Sequence, residues 1–405
     1  MQLRLSRVTL PALVLLGTVG VGAALIAAAS GDSRGRDGEG GPIRPPGDDA
    51  SFTTVFKSDL GLEGLTGDRR GNLYSGGRDG EDPCPVFRVR ASGGEPAVVG
   101  NIPAPCGPSG IAFGPDERLY IASEGQVHVL TPNAENPPTA TVFATDVPGA
   151  NGLAFDDRGD LWVSDGTTGQ GRVWRVEPDG ERSEEFRVQP MVNEVVAGGI
   201  GRDPRSLPPG TVDITPTGRS ASNQLGSQHL VANGLAFGED GSLYIGDTAR
   251  GAIWRVELDR RGEVRSPVGC DTTFTANTLC LDNVFVAHPF LEGTDGIALD
   301  RAGNIWSAAN ERNAIVVVTA RRRTVEFFRN PADGESRLRN EGPLEFPTSP
   351  FLSGRRLCIT SSDGDRRDNS PSTGGEVGGP GVPEVAKISC LDEPLSIPGL
   401  PLPVR

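Results

Sequence analysis

Lysine is nearly missing from this 405-residue chain: of 39 basic residues only Lys57 and Lys387 are lysines. That argues against Schiff-base chemistry, which needs a desolvated lysine amine. Histidine is scarce too, with only His128, His229 and His288. No CxxC pair or Cys/His cluster is present to hold zinc. Neither a Ser-His-Asp set nor a Gly-rich phosphate loop of the P-loop kind is evident. No basic patch offsets the net charge of -14, so nucleic acid is not an expected partner. The acid excess speaks to solubility. Amphipathic helical stretches are missing between the apolar runs, which excludes a TIM barrel or a Rossmann fold.

What the chain has in plenty is turn formers, with 56 glycines and 34 prolines. They favour many short strands over long helices. At the N-terminus, Arg4 and Arg7 precede an uncharged stretch from Val8 to Ala29. Residues 1–29 read as a signal peptide or signal anchor, with a small-residue exit at Ala27–Ala29. The remainder is expected to be exported: secreted, periplasmic or anchored, touching membrane only through this segment if it is uncleaved. Residues 30–50 read as a disordered linker. Six cysteines fit an oxidising compartment. Many pairings are possible; sequential pairing is the expectation, Cys84 with Cys106, Cys270 with Cys280, and Cys358 with Cys390.

One pattern recurs six times: a polar residue, usually Gly-Leu or Gly-Ile, a turn, then Leu-Tyr or Leu-Trp. The copies start at Glu63, Ser109, Asn151, Asn233, Asp295 and Thr348. In the first five an aromatic follows 11 residues later: Tyr74, Tyr120, Trp162, Tyr244 and Trp306. The sixth is one residue shorter and carries Cys358 instead. Each copy reads as a hairpin, often with a third strand after it, as in GRVWRVEPDG. The copies start 42 to 82 residues apart, and the shorter spacings match the roughly 40–50 residues of a four-stranded propeller blade. The fold expected is all-β, a six-bladed β-propeller over residues 51–392 with an N-terminal export segment. Segments 190–230 and 265–290 read as loop-like insertions, and 393–405 as a Pro-rich tail. The strand-like SFTTVF at 51–56 is placed to close the ring by joining the last blade. A parallel β-helix fits less well, since its repeats are shorter and more regular.

The innermost strand of each blade lines a propeller's central channel. The polar residue before the glycine therefore defines a ring: Glu63, Ser109, Asn151, Asn233, Asp295, Thr348. All six carry oxygen, two are acidic and two are amides, which is the donor set a hard cation such as calcium takes. For a single copy, Asn-Gly as a tight turn is the plainer explanation. It accounts poorly for Glu63 and Ser109 in the same register. Asp165 and Asp247, each 14 residues after its asparagine, read as aspartates that bond loop backbone. The five aromatics read as blade packing and His128 as structural. His229 and His288 lie near enough to Asn233 and Asp295 in sequence to be considered as proton shuttles.

ANGLAFDDRGDLWVSD, TDGIALDRAGNIWSAAN, LEGLTGDRRGNLY and FPTSPFLSGRRLCITSS resemble, in kind and order, the blade motifs of the regucalcin (senescence marker protein), gluconolactonase and luciferin-regenerating-enzyme-like family of six-bladed propellers. The resemblance covers about residues 55–365. It implies one divalent cation, calcium foremost, held by Glu63, Asn151, Asn233 and Asp295. It implies hydrolysis of a small lactone or related ester, with Asp295 as general base and Ser109 and Thr348 facing substrate. A monomer is expected. The second blade has CGPSGIAF, with no arginine where the sugar-lactonase branch often has one, so an aldonolactone is not the implied substrate. The alternative is a non-catalytic propeller serving as a ligand- or protein-binding platform; a strictosidine-synthase-like propeller is disfavoured by the two asparagines.

Overall fold

In the computed structural model, the glycine of each repeat is where one blade meets the next. A Cβ placed on Gly64 would lie 2.2 Å from the carbonyl oxygen of Ser109. The same contact recurs from Gly110 to Asn151 O at 2.0 Å, from Gly152 to Asn233 O at 2.3 Å, from Gly234 to Asp295 O at 2.5 Å and from Gly296 to Thr348 O at 2.6 Å. Only a residue without a side chain lets two inner strands approach this closely. Gly110, Gly152 and Gly296 lie within the inner strands and Gly64 and Gly234 stand just outside strand residues, none of the five in a turn. The sixth junction carries Ser349 in place of glycine, and there Thr348 Oγ1 and Thr360 Oγ1 each donate to Glu63 O at 2.7 Å. The ring is thereby closed from the last blade back to the first.

The structure describes residues 43–46, 50–80, 82–189, 232–272, 274–330, 343–362 and 386–402. The export segment proposed at 1–29, most of the linker at 30–50, the insertion 190–230 and His229 lie outside them. Among the described residues the strands form six antiparallel sheets. The inner strands, from blade I to blade VI, are Gly61–Leu62 with Thr66–Gly67, Pro108–Phe113, Ala150–Phe155, Leu235–Phe237, Thr294–Leu299 and Pro347–Ser353. Blade VI takes its outer strand from the other end of the chain: Phe52–Ser58 pairs antiparallel with Ala386–Leu391. The ring closes as the sequence suggested, leaving no open sheet edge at the seam. In one respect the sequence reading needs correction: the stretch 265–290, read as an insertion, contains the outer strand of blade IV, Val284–Ala287. Its four residues are too few, and too close to the Cys-bearing loop, to show an alternating pattern.

Packing follows from the repeat. Trp162, Trp254 and Trp306 are essentially fully buried between blades. The repeat aromatics also tie down the turn before them: Tyr74 donates to Asp68 at 3.0 Å, Tyr120 to Asp116 at 2.9 Å, Trp162 to Asp156 at 3.1 Å and Trp306 to Asp300 at 3.0 Å. These residues serve the blades, as expected. All three expected disulfides are present, Cys84–Cys106, Cys270–Cys280 and Cys358–Cys390. Among the described residues no helix is long and apolar enough to cross a membrane.

The proline-rich tail docks at the channel end where the inner strands finish. Arg301 N donates to Pro398 O at 3.0 Å, Gly399 N to Gly354 O at 2.7 Å and Leu400 N to Leu299 O at 2.9 Å. Leu400 helps to line an apolar cavity of about 100 Å³ with Leu65, Ile111, Leu153, Leu235 and Ile297. Every inner strand thus presents polar groups at its start and apolar side chains at its end.

Candidate functional site

The six polar residues stand at the beginning of the inner strands, and in four blades the strand pairing slips there. The register shifts between Pro108 and Ile111, Ala150 and Leu153, Thr294 and Ile297, and Pro347 and Ser349. A bulge re-aims the side chain it carries and locally ends pairing. The glycine contacts then stack these backbones in ring order, 63, 109, 151, 233, 295, 348. Exposure is low throughout: Glu63 9 %, Ser109 5 %, Asn151 6 %, Asn233 2 %, Asp295 5 % and Thr348 1 %. Polar groups this buried need partners.

The partners come from one further register. Fifteen positions after Glu63 stands Arg78, after Asn151 Gly166, after Asn233 Thr248 and after Asp295 Asn310. Each lies at or just past the end of the second strand of the same blade. Arg78 Nη1 is 2.9 Å from Glu63 Oε2. A Cβ on Gly166 would meet the Asn151 amide at 2.1 Å. Asn233 Nδ2 donates to Thr248 Oγ1 at 3.1 Å, and Asn310 Nδ2 donates to Asp295 Oδ2 at 3.0 Å. The motif comparison missed these residues because their types differ from blade to blade. A constant offset from the ring was the only signal available.

The hydroxyls of Ser109 and Thr348 are already committed as donors. Ser109 Oγ points at Ala150 O (3.2 Å) and Ala122 O (3.3 Å), and Thr348 Oγ1 at Glu63 O. Each has one proton, so toward a ligand it offers lone pairs. Asp165 accepts from Thr168 N at 3.0 Å and Arg172 Nε at 2.8 Å. Asp247 accepts from Arg250 N and Nη1 and from Trp254 Nε1. Both aspartates shape loops, as the sequence suggested. His128 is buried in its strand, and burial lowers its pKa. His288 is pushed down by burial and then by the charge of Arg312, and its Nδ1 accepts from Phe290 N at 3.1 Å.

Among the described residues no three His, Cys, Asp or Glu side chains gather as a metal cluster. A cation here would need the amide oxygens beside the two carboxylates. Two observations fit that use. Glu63 Oε2 is buried and makes no hydrogen bond; its contact with Arg78 Nη1 is an ion pair without hydrogen-bond alignment. Asn151, held against Gly166, makes no side-chain hydrogen bond among the described residues. The donor set is all oxygen, which suits a hard divalent ion.

Comparison with known proteins follows the same line. A family model, the SMP-30/gluconolactonase/LRE-like region, matches residues 203–363. No curated protein matches the chain significantly. Among solved structures, a luciferin-regenerating enzyme superposes with a TM-score of 0.53 at 14% identity, over 86% of this chain and 97% of its own. The calcium-binding protein regucalcin from Agrobacterium tumefaciens gives 0.52 at 17%, over 86% and 95%. A gluconolactonase from Xanthomonas campestris gives 0.52 at 16%, over 88% and 98%. At these identities the structural likeness is one of fold.

Proposed function

We propose, from this likeness to the SMP-30/gluconolactonase/LRE-like proteins, that the chain is an exported, divalent-metal-dependent hydrolase of a small lactone or related ester. The observation that carries the reading is the ring itself: two carboxylates and two amides, buried at equivalent positions around one axis. Glu63, Asn151, Asn233 and Asp295 would hold the ion, calcium foremost, with two carboxylates to balance a double charge. When bound, such an ion supplies Lewis-acid polarisation of the substrate carbonyl and stabilises the oxyanion that develops.

The chain's own residues do the rest. Asp295 takes the proton of the attacking water, and the Asn310 amide on Oδ2 fixes the carboxylate for that transfer. Glu63 is a ligand rather than a base: its Oε2 is buried, makes no hydrogen bond and faces Arg78 Nη1. Thr248 holds the Asn233 amide by its nitrogen, leaving the carbonyl oxygen for coordination. Ser109 and Thr348 border the substrate as hydrogen-bond acceptors. The apolar end of the channel, closed by Leu400, leaves the polar end as the route in. Three disulfides suit an oxidising compartment and so support export.

The test is metal content and turnover on a lactone and ester panel, with and without chelator, beside Glu63→Gln/Asp295→Asn. About one calcium per chain and chelator-sensitive turnover lost in the variant is the expected result. Bound metal without turnover on any substrate would favour a binding platform. If Asp295→Asn alone kept both its metal and full turnover, Asp295 would not be the base.

A further inference from the structure

Of the residues fifteen positions beyond the four proposed ligands, one carries a charge. Thr248, Asn310 and Gly166 are neutral, whereas Glu63 is accompanied by Arg78. The guanidinium is not swinging in solvent. Its Nε donates to Pro108 O at 3.0 Å, and Pro108 opens the inner strand of the neighbouring blade. One edge of the fork is therefore pinned across the junction of blades I and II. Nη1 rests 2.9 Å from Glu63 Oε2, and the side chain is 31% exposed. Nη2 has no hydrogen-bond partner among the described residues.

The charges do not cancel once a divalent ion is placed in the ring. Glu63 and Asp295 together offset its two positive charges, and Arg78 is left over. Asp79 and Asp82, which follow in the chain, and Glu124, at the matching offset from Ser109 in the next blade, are exposed, where water and salt screen them. A fixed, half-buried guanidinium with an unused Nη2 is suited to a carboxylate, which Nη2 meets with a charge-assisted N–H donor.

We propose that Arg78 makes this site selective for a lactone or ester that bears a carboxylate, seated at the junction of blades I and II. The inference rests on the hydrolase reading for the identity of the reacting group, but the recognition it describes is a binding event and is tested as one. The probes are a lactam carrying a carboxylate and the primary carboxamide of the same lactam, neither of which is a lactone or ester that can turn over. Calorimetry on the calcium-loaded full chain measures both affinities, with metal content and melting temperature recorded for each variant.

The native protein is expected to prefer the acid by at least about tenfold. Arg78→Met should abolish that preference in a protein that still folds and still holds its calcium, and Arg78→Lys should restore part of it. Equal affinity for acid and carboxamide in the native protein would overturn the proposal. So would a preference that survives Arg78→Met. A third overturning result is tighter calcium binding in Arg78→Met with the ligand preference intact, which would leave Arg78 as a counter-ion of Glu63 alone. An Arg78-dependent preference for the acid, in a protein that hydrolyses no lactone or ester, would instead sink the hydrolase reading and leave the carboxylate site standing.

Discussion

Thr248 decides which way the Asn233 amide faces. Its hydroxyl lies 2.6 Å from Thr294 O, a group that can only accept, so its single proton is spent there. Toward Asn233, at 3.1 Å, it can only accept. The amide must present Nδ2 to Thr248 and turn Oδ1 away from it. Thr248→Val removes the acceptor while keeping the shape. Calcium affinity, measured by calorimetry, should fall roughly tenfold or more, the usual effect of losing a partner behind a ligand. Thr248→Ser should retain it. Equal affinity in native and valine forms would show that the amide orients without help.

The glycine contacts give a stability prediction that does not depend on function. Alanine at Gly110 or Gly152 would drive a methyl to 2.0 or 2.3 Å from the next blade's backbone oxygen. Backbone cannot step aside as a flexible side chain can. Each substitution should cost about 3 kcal/mol or more in urea unfolding. Gly71→Ala is the control for the change of residue type, since nothing stands within 4 Å of that position although its φ is +80°; it should cost only about 1 kcal/mol. Similar losses at all three sites would mean that the interblade approach is not what demands glycine.

The tyrosines should resist alkali. Burial, then the Asp68 charge and hydrogen bond, push Tyr74 up to about 12. Burial and Asp116 do the same to Tyr120, also to about 12. Tyr244 is raised chiefly by burial. A raised folded pKa favours the protonated phenol. Its stabilising contribution is therefore complete below the unfolded value near 10 and disappears as pH rises through about 12. Phenolate absorbance should appear only as the β-sheet circular dichroism is lost. Phenolate appearing near pH 10 (roughly the free value) in a folded protein would contradict this.

The bridge between Cys358 and Cys390 joins directly paired strands of the closing blade. The second of those strands also holds Phe52–Ser58, the strand from the other end of the chain. With the two cysteines 32 positions apart, replacing both by alanine should cost roughly 3–4 kcal/mol. Denaturant titration of the double variant tests this; a loss below about 1 kcal/mol would show that the strand pairing closes the ring unaided.

The architecture is written in the repeat. Polar-Gly-apolar followed at a near-constant distance by an aromatic in five of six copies fits a hairpin repeated around an axis better than a β-helix, so blade number and the ring from Glu63 to Thr348 were legible in the chain itself. Sequential cysteine pairing was readable because each pair falls within one blade or at one junction. What tertiary structure decided is everything set by distance between residues of unlike type. Arg78, Gly166, Thr248 and Asn310 share an offset but no chemistry, so no pattern of composition announces them. The outer strand Val284–Ala287 is too short to show a period, and the docking of Leu400 under the channel is a contact between segments about a hundred residues apart. Whether Ser109 and Thr348 offer a proton or a lone pair depends on which backbone oxygen stands beside them. Periodicity records which face a residue occupies; only the folded chain fixes what it meets there.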